Sequence, residues 1–232
     1  MEGRRRLSVI VPVYNERNTV AEIVRRMRQV ELPVDLEVVV VDDGSTDGSH
    51  HVLDALQDST VRVLRHPVNR GKGAAVRSAL PEVRGDLVLI QDADLEYDPQ
   101  DWPRLLAPIL SDKARVVYGS RFTGERKNLL LTHYVGNRLL SLATNDLYNS
   151  TLSDMETCYK LFERDVLDGI VLRAEGFDFE PELTAKLLRR GHRIYEVPIS
   201  YAGREYGEGK KITWRDGLTA LWTLFRCRVS RG

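Results

Sequence analysis

Residues 36–47 read LEVVVVDDGSTD, an apolar run that ends at once in acids and turn-forming residues. Four consecutive valines are typical of a strand whose two faces are both buried. Similar apolar runs occupy residues 7–13, 61–64, 87–90 and 115–118. Helical patterns separate these runs, over residues 18–30, 47–56, 71–83 and 101–110. This β-α-β-α alternation predicts a Rossmann-like α/β fold with a doubly wound, mainly parallel sheet.

The second half of the chain has a less regular pattern. Helices are predicted over residues 131–149, 179–190 and 213–229, the last of them amphipathic, and a strand over residues 192–201. Residues 155–162 form an apolar-polar segment, and residues 204–211 form a glycine-containing loop. No internal repeat or linker divides the sequence, so we expect a single domain over residues 1–232.

The composition bounds the classes of function. With a formal net charge of +0 over 232 residues, the chain has no electrostatic reason to bind nucleic acid. Its basic start is followed by a short apolar segment that Pro12 and Asn15 interrupt, which does not fit a signal peptide. No apolar run approaches the roughly 18 residues of a membrane span, so any membrane contact is expected to be peripheral. The two cysteines lack metal-ligand spacing, which favours reduced thiols in a cytosolic protein.

Acidic residues stand where the predicted strands end. Asp42 and Asp43 follow the second predicted strand, and Asp92 and Asp94 follow the fourth. The carboxyl ends of parallel strands meet at one edge of a sheet, where open α/β sheets bind their ligands. Unpaired carboxylates at this edge would repel one another, so either a cation or a set of hydrogen-bond donors is expected among them. Such oxygen ligands suit Mg²⁺ or Mn²⁺, which often link a carboxylate to substrate phosphates.

Some polar residues at this edge also have a structural explanation. Asp47, in a Ser-Thr-Asp sequence, is interpreted as the N-cap of the second predicted helix. Asp42 fits either a ligand contact or an ordinary turn, and both alternatives are open. Residues 69–73 (NRGKG) open a helix but lack the spacing of a Walker loop or a dinucleotide fingerprint. Their glycines are expected to allow close approach of the backbone to a ligand or to a neighbouring strand.

Four ordered motifs carry a resemblance to a known family. They are residues 9–16 (VIVPVYNE), 41–47 (VDDGSTD), 69–73 (NRGKG) and 92–94 (DAD). Together they resemble glycosyltransferase family 2, which has the GT-A fold. Two later motifs, GSRF at 119–122 and DMETCYK at 154–160, resemble the branch that includes dolichol-phosphate mannose synthase and the bacterial polyprenyl-phosphate glycosyltransferases. The resemblance is weakest at the C-terminus, where many relatives carry membrane helices.

The resemblance implies a set of residues that bind the nucleotide-sugar donor. These substrate-binding residues are Pro12, Tyr14, Glu16, Asp43, Lys72, Asp92, Glu96 and Arg204. Pro12, Tyr14, Glu16 and Asp43 would line the pocket for the base and ribose. A Mg²⁺ or Mn²⁺ ion on the donor diphosphate would be held by Asp92 and Asp94. At position 96 the family often has glutamine, so the role of Glu96 is open.

The implied reaction is an inverting transfer of a hexose from a GDP-mannose or UDP-glucose type of donor to a polyprenyl or dolichyl phosphate. Its candidate catalytic residues are Asp94, Arg121, Arg138 and Asp154. Arg121 and Arg138 would face the acceptor phosphate or the donor diphosphate, and Arg204 would close over the site. A hydroxyl acceptor would need a general base, Asp154 or Glu156. A lipid phosphate is already an anion, and Asp154 would then orient Arg138 or Lys160.

This interpretation divides the chain into a nucleotide-binding half at about residues 7–120, an acceptor half at 121–211 and a C-terminal helix at 212–229. Tryptophan and arginine in that helix fit contact with an anionic membrane, and packing on the core is the alternative. We expect a cytoplasmic location, peripheral on the cytoplasmic membrane face. Other functions are open: a soluble family 2 transferase with a hydroxyl acceptor, or a non-catalytic nucleotide-sugar-binding module. The sequence defines neither the donor's base and sugar nor the oligomeric state.

Overall fold

The computed structural model describes residues 4–125, 131–203 and 214–230. Seven strands make up one sheet in this part of the chain. They are β1 (Arg6–Val13), β2 (Asp35–Asp43), β3 (Val61–His66), β4 (Leu87–Ile90), β5 (Val116–Ser120), β6 (Lys160–Glu163) and β7 (Ile194–Pro198). Their order across the sheet is β3-β2-β1-β4-β6-β5-β7. The α/β class and the mainly parallel sheet are therefore confirmed.

The first four strands form a wholly parallel half of the sheet. β1 lies between β2 and β4, and β2 also pairs with β3. The chain thus winds from β1 outward to β3 and then returns to the other side of β1 with β4. Such a reversal opens a crevice at the carboxyl ends of the strands. The four valines of β2 are fully buried, because both faces of this central strand are covered.

Seven α-helices accompany the sheet in the described ranges. They are α1 (Val20–Arg28), α2 (Ser49–Leu56), α3 (Lys72–Ala79), α4 (Trp102–Leu110), α5 (Leu131–Tyr148), α6 (Phe179–Arg189) and α7 (Trp214–Val229). In α1 the buried residues Val20, Ile23, Val24 and Met27 follow the spacing of one helical face. Each predicted helix is present with slightly shorter bounds.

The segment of residues 155–162 contributes a strand that the sequence pattern did not predict. β6 pairs antiparallel with both β4 and β5, which separates these two strands in the sheet. An antiparallel strand begins where its neighbours end. Residues 154–159 therefore enter β6 from the same edge of the sheet at which Asp92 follows β4.

The last helix packs with α5 and α6 around a second, smaller apolar cluster. On this face Ala220, Leu224 and Cys227 are buried. A separate apolar stripe of α7 is exposed and consists of Leu218, Leu221, Trp222, Phe225 and Val229. Core packing therefore accounts for one face. The predicted amphipathic character is not confirmed, because the second face is also apolar. Among the described residues, none of the helices is long and apolar enough to cross a membrane.

Candidate active site

The loops after β1 and β2 are tied to each other at the predicted edge of the sheet. Asn15 has a φ of 56°, in the left-handed region. Its backbone N–H donates to Ser45 Oγ at 3.0 Å, and its Oδ1 accepts from the Thr46 N–H at 2.8 Å. At Gly44 φ is +71°, and an added Cβ would lie 2.5 Å from the backbone of Val68. Glycine is therefore required where this loop approaches the chain after β3.

Pro12, Tyr14 and Glu16 follow one another along this edge. Pro12 and Tyr14 are partly exposed, whereas Glu16 is buried. The Glu16 carboxylate accepts from the Thr19 hydroxyl at 2.8 Å, and its backbone N–H donates to Ser49 Oγ at 3.0 Å. The structure brings the three residues together, and their contacts with a donor stay a prediction.

Asp43 is buried and already accepts several hydrogen bonds. Its Oδ1 lies 2.6 Å from His66 Nδ1 and accepts from the Arg70 N–H at 2.9 Å, while its Oδ2 accepts from the Gly71 N–H at 2.8 Å. The carboxylate thus fastens the end of β2 to the glycine loop before α3. His66 was not predicted from the sequence, although it lies directly opposite Asp43 in the sheet.

Asp42 and Asp47 both take part in the turn between β2 and α2. Asp42 accepts from the Ser45 N–H at 3.0 Å, which is ordinary turn chemistry. The N-cap of α2 is Gly48, so the prediction that Asp47 is the N-cap is wrong by one residue. Asp47 still accepts from the backbone and hydroxyl of Ser49. Burial alone would raise the pKa of Asp47, but these hydrogen bonds hold it below its ordinary value.

Lys72, the first residue of α3, bridges two carboxylates. Its Nζ is 2.8 Å from Asp92 Oδ1 and 2.7 Å from Glu180 Oε1. Burial would lower the pKa of Lys72, but these neighbouring carboxylates raise it well above its ordinary value. Lysine is therefore charged here and supplies a cation among the strand-end acids. Nothing in the sequence distinguished Glu180 from the other acids of α6, so its part in this bridge was missed.

The chain after β4 carries the other predicted metal and donor ligands. Gln91 is buried and anchors the strand end, because its Oε1 accepts from Trp102 Nε1 at 3.2 Å and from the Tyr159 hydroxyl at 2.7 Å. Asp94 Oδ1 accepts from the Glu96 N–H at 3.2 Å. The Glu96 carboxylate in turn accepts from the hydroxyl of Tyr201 at 2.9 Å. Glu96 thus connects this loop to the segment after β7.

Asp154 and Arg121 form a buried bidentate ion pair. Arg121 Nε and Nη2 each lie 2.7 Å from one Asp154 oxygen, and the Arg121 N–H donates to Oδ2 at 2.9 Å. Burial would lower the pKa of Arg121, but Asp154 raises it well above its ordinary value. The expectation that Asp154 orients Arg138 or Lys160 is therefore corrected: it orients Arg121. Both of its oxygens are engaged, which leaves it poorly suited as a general base.

Arg121 and Arg138 lie at the same aromatic ring. Their guanidinium carbons are 5.9 Å and 5.8 Å from the ring centroid of Phe122. Arg138 also donates to the Ser153 carbonyl at 3.0 Å. The two cations predicted to face a phosphate are thus brought together, beside the segment that leads to Asp154.

Two further titratable side chains lie in the same segment, Lys160 fully buried and Glu156 partly buried. Lys160 Nζ donates to the Met155 carbonyl at 2.7 Å and lies 3.8 Å from the centroid of the Tyr118 ring. Burial lowers the pKa of Lys160. Burial, reinforced by the nearby charge of Glu180, raises the pKa of Glu156. Of the two candidate bases, Glu156 is thus the one held towards its neutral form.

A family model described as Glycosyl transferase family 2 matches residues 8–171, well over half of the sequence. The chain belongs to glycosyl transferase family 2. The predicted resemblance is confirmed, and the match covers both the strand-end acids and the segment from Asp154 to Lys160.

Curated family 2 relatives point to one branch. An undecaprenyl-phosphate 4-deoxy-4-formamido-L-arabinose transferase of Pseudomonas fluorescens strain Pf0-1 is 31% identical over 229 residues, covering 97% of this chain and 65% of that protein. The same enzyme of strain Pf-5 is 30% identical over 229 residues, with the same coverage. The chain thus spans 65% of the length of these relatives, just under two thirds, and it resembles the polyprenyl-phosphate branch.

Solved structures support the GT-A fold of the family. Glucosyl-3-phosphoglycerate synthase of Mycobacterium tuberculosis, in complex with Mn²⁺, UDP and phosphoglyceric acid, superposes with a TM-score of 0.75 at 23% identity, covering 98% of this chain and 80% of that one. Another structure of the M. tuberculosis synthase gives a TM-score of 0.74 at 25% identity, covering 98% and 82%. At 23% identity, the similarity to the Mn²⁺ and UDP complex shows the fold alone.

The donor set of this family 2 site fits a divalent ion that is shared with a substrate. Within the described ranges, no group of three His, Cys, Asp or Glu residues is arranged to hold a metal by itself. Asp92 and Asp94 offer carboxylate oxygens, and Mg²⁺ commonly binds through one or two carboxylates together with substrate phosphates. An ion at this edge would therefore take its remaining ligands from the donor diphosphate. Arg204, predicted to close over the site, lies outside the described residues.

Proposed function

We propose that this chain is an inverting, metal-dependent glycosyltransferase that moves a hexose from a nucleoside diphosphate sugar to a polyprenyl phosphate. The observation that carries the proposal is the pair Arg121 and Arg138 at one aromatic ring, with Arg121 fixed by buried Asp154. Both curated relatives are undecaprenyl-phosphate transferases, which supports the same acceptor class.

The donor would bind in the nucleotide-binding half, at about residues 7–120. Pro12, Tyr14 and Glu16 would face its base and ribose, and the loop that Asp43 fastens would support its phosphates. Asp92 and Asp94 would hold Mg²⁺ or Mn²⁺ on the diphosphate. The metal, when bound, would stabilise the negative charge that the leaving diphosphate gains. UDP in the neighbouring structures supports a nucleoside diphosphate without defining the base.

The acceptor would bind in the acceptor half, at about residues 121–211. Two anions brought side by side repel each other unless cations lie between them, and Arg121 and Arg138 would supply these charges. Asp154 holds the Arg121 guanidinium in place before the acceptor binds. Positioning this cation therefore costs little conformational entropy at each turnover. An anionic phosphate oxygen attacks without losing a proton, which agrees with an Asp154 carboxylate that is fully hydrogen-bonded.

Attack by this oxygen on the anomeric carbon would come from the face opposite the diphosphate. One C–O bond forms as the other breaks, and the configuration inverts. The arginines of the acceptor half would also stabilise the negative charge that the departing diphosphate gains, as electrostatic stabilisation is often the largest catalytic contribution.

The acceptor's lipid chain would require this site to reach a membrane surface. The exposed stripe of α7 supports peripheral membrane contact, which we place on the cytoplasmic face as part of the proposal, because Trp222 and Phe225 are accompanied by the exposed Arg226 and Arg228. Aromatic and basic side chains together suit an anionic interface. α5 presents further exposed apolar side chains, including Leu139 and Leu142.

A hydroxyl acceptor is the second candidate, and one observation favours it. Glu156 Oε1 is buried and has no hydrogen-bond partner among the described residues. A carboxyl oxygen left in this way could accept a proton from a hydroxyl nucleophile. Because the pKa of Glu156 is raised, it would act as a base only at a pH high enough to ionise it.

One assay separates the two acceptors. Donors labelled in the sugar, of the UDP-glucose and GDP-mannose types, are offered with a short-chain polyprenyl phosphate and, separately, with free sugars. We expect label in the organic phase, dependent on Mg²⁺ or Mn²⁺, and binding to anionic vesicles that weakens as salt rises. Label on hydroxyl acceptors alone, with no vesicle binding at low salt, would refute the proposal and favour Glu156 as a base.

A further inference from the structure

Lys72, which begins α3, forms an ion pair with Asp92, the carboxylate that is also proposed to bind the donor's metal ion. Lys72 Nζ lies 2.8 Å from Asp92 and 2.7 Å from Glu180, so the ammonium group is shared almost equally. The Glu180 side chain is only 5% exposed and that of Asp92 is 23% exposed. Asp92 therefore faces the open side of the bridge, where a substrate-bound ion would arrive, and Glu180 faces the interior.

The two ends of this bridge are held by touching backbones. The Gly73 N–H, one residue after Lys72, donates to the Gly176 carbonyl at 3.2 Å. A Cβ at Gly73 would lie 2.6 Å from the Ala174 carbonyl oxygen, so glycine is required for this approach. Residue 176 leads directly into α6, which carries Glu180. The start of α3 and the start of α6 thus keep Lys72 and Glu180 at a fixed separation.

A divalent ion and an ammonium group repel each other strongly when they share one carboxylate oxygen. Lys72 must then leave Asp92, yet a buried lysine that loses its counter-charge is strongly destabilised. Glu180 has the capacity to take it, since its Oε2 is buried and has no hydrogen-bond partner in the part of the chain that the structure describes. The second oxygen can accept a further N–H of the same ammonium group.

We infer that Glu180 is a positioning residue that receives Lys72 when the metal takes Asp92. This rests on the proposed function, because the incoming ion is the one that the donor diphosphate brings. Lys72 occupies Asp92 before the donor binds, which offsets the repulsion between Asp92 and Asp94. Glu180 then keeps the displaced lysine charged and beside the diphosphate.

The test compares Glu180→Gln with Glu182→Gln, a control that removes the same charge from the same helix. Glu182 is also buried but pairs with Lys186 rather than with Lys72. Mn²⁺ binding is followed by the loss of the free-ion electron paramagnetic resonance signal, at UDP concentrations that saturate each variant. Without Glu180, Lys72 keeps Asp92 alone of the two carboxylates that it bridges, so Mn²⁺ affinity should fall on the order of tenfold, whereas the control stays near the parent. At saturating Mn²⁺ the variant should regain most of the parent's kcat.

The Lys72→Met variant provides a second test, which remains informative even if the Glu180→Gln variant does not fold. Removing the competing cation should tighten Mn²⁺ binding. In the Lys72→Met background, Glu180→Gln should change Mn²⁺ affinity by less than about twofold, because Glu180 then has no displaced lysine to bind. A long-range charge effect would instead weaken binding in both backgrounds.

Three results from the variants overturn the inference: equal Mn²⁺ affinity in Glu180→Gln and the parent, an equal loss in both backgrounds, or a Lys72→Met variant that binds Mn²⁺ no more tightly. A parent that binds no Mn²⁺ with UDP overturns it as well, since nothing then displaces the lysine. The acceptor assay is read separately. Label transfer to polyprenyl phosphate with unchanged Mn²⁺ affinity in Glu180→Gln would leave the proposed function standing and the positioning role refuted.

Discussion

The donor half and the acceptor half hold their charged side chains in different ways. In the donor half, Asp42, Asp43 and Asp47 accept hydrogen bonds from backbone N–H groups of nearby loops. In the acceptor half, Asp154 is held by the guanidinium of Arg121, which is 33 residues away in the chain. These three donor-half acids are thus held mainly through backbone N–H groups, whereas Asp154 is held by a guanidinium as well as by one backbone N–H. Mutations in the two halves should therefore have different effects on donor binding, acceptor use and stability.

The largest expected effect is that of Asp94→Asn, in the donor half. If Asp94 holds the metal, loss of its charge should lower transfer on the order of 10³-fold, because electrostatic stabilisation of the leaving group is lost. Thermal unfolding should show a folded variant. Asp98→Asn is the control, since Asp98 caps a turn through the Gln100 N–H and lies outside the predicted ligands. Full transfer activity of Asp94→Asn, or of the parent in the presence of a chelator, would refute the proposed role of a metal ion in the reaction.

Asp154→Asn should damage both stability and acceptor use. It leaves the Arg121 charge buried without its partner, which costs about 3–5 kcal/mol of unfolding free energy. The control Asp165→Asn breaks an exposed pair with Arg115 and should cost no more than about 1 kcal/mol. Urea unfolding measures both variants, and calorimetry with UDP should show unchanged donor affinity. A loss of UDP affinity with acceptor use intact would reverse the assignment of the two halves.

Asp43→Ala should act mainly on the donor. The variant frees the N–H groups of Arg70 and Gly71 and so loosens the loop before Lys72. Hydrogen bonds to a charged group are worth about 1.5–3 kcal/mol, so the dissociation constant for UDP should rise at least roughly tenfold. Asp47→Ala, its control, removes a helix-end hydrogen bond at a cost of about 1 kcal/mol and should leave UDP affinity unchanged. Unchanged UDP affinity in Asp43→Ala would refute the pocket.

A smaller effect concerns the pH dependence of stability, through Glu156. Burial raises its pKa, so the folded state binds a proton that the unfolded state has already released. Stability therefore falls as the pH rises above the ordinary carboxyl pKa of 4.5. Glu156→Gln resembles the protonated form, so its stability relative to the parent should increase with pH across this range. Urea unfolding at several pH values checks the slope, and a difference independent of pH would contradict the raised pKa.

The same contrast explains what could be predicted from the sequence. The mainly parallel sheet, the helix positions and the strand-end acids follow from local patterns, and Asp43 lies at the end of β2 as expected. The partner of Asp154 could not be predicted, because both Arg138 and Lys160 are closer to it in sequence than Arg121. The bridge from Lys72 to Glu180 spans more than a hundred residues, and it forms where the backbone of residues 174–176, just before α6, contacts the start of α3. β6 was also missed: β4 is equally short but wholly apolar, whereas β6 begins with Lys160 and ends with Glu163.

The central claim is that the acceptor half recognises a phosphate anion, and calorimetry of acceptor binding tests it most directly. A short-chain polyprenyl phosphate and the polyprenol of the same length are titrated into the parent and into Arg138→Ala, each with saturating UDP and Mn²⁺. We expect the parent to bind the phosphate and not the alcohol, and Arg138→Ala to lose most of this binding while UDP affinity is unchanged. Equal binding of phosphate and alcohol by the parent, or unaltered phosphate binding by Arg138→Ala, would contradict the account.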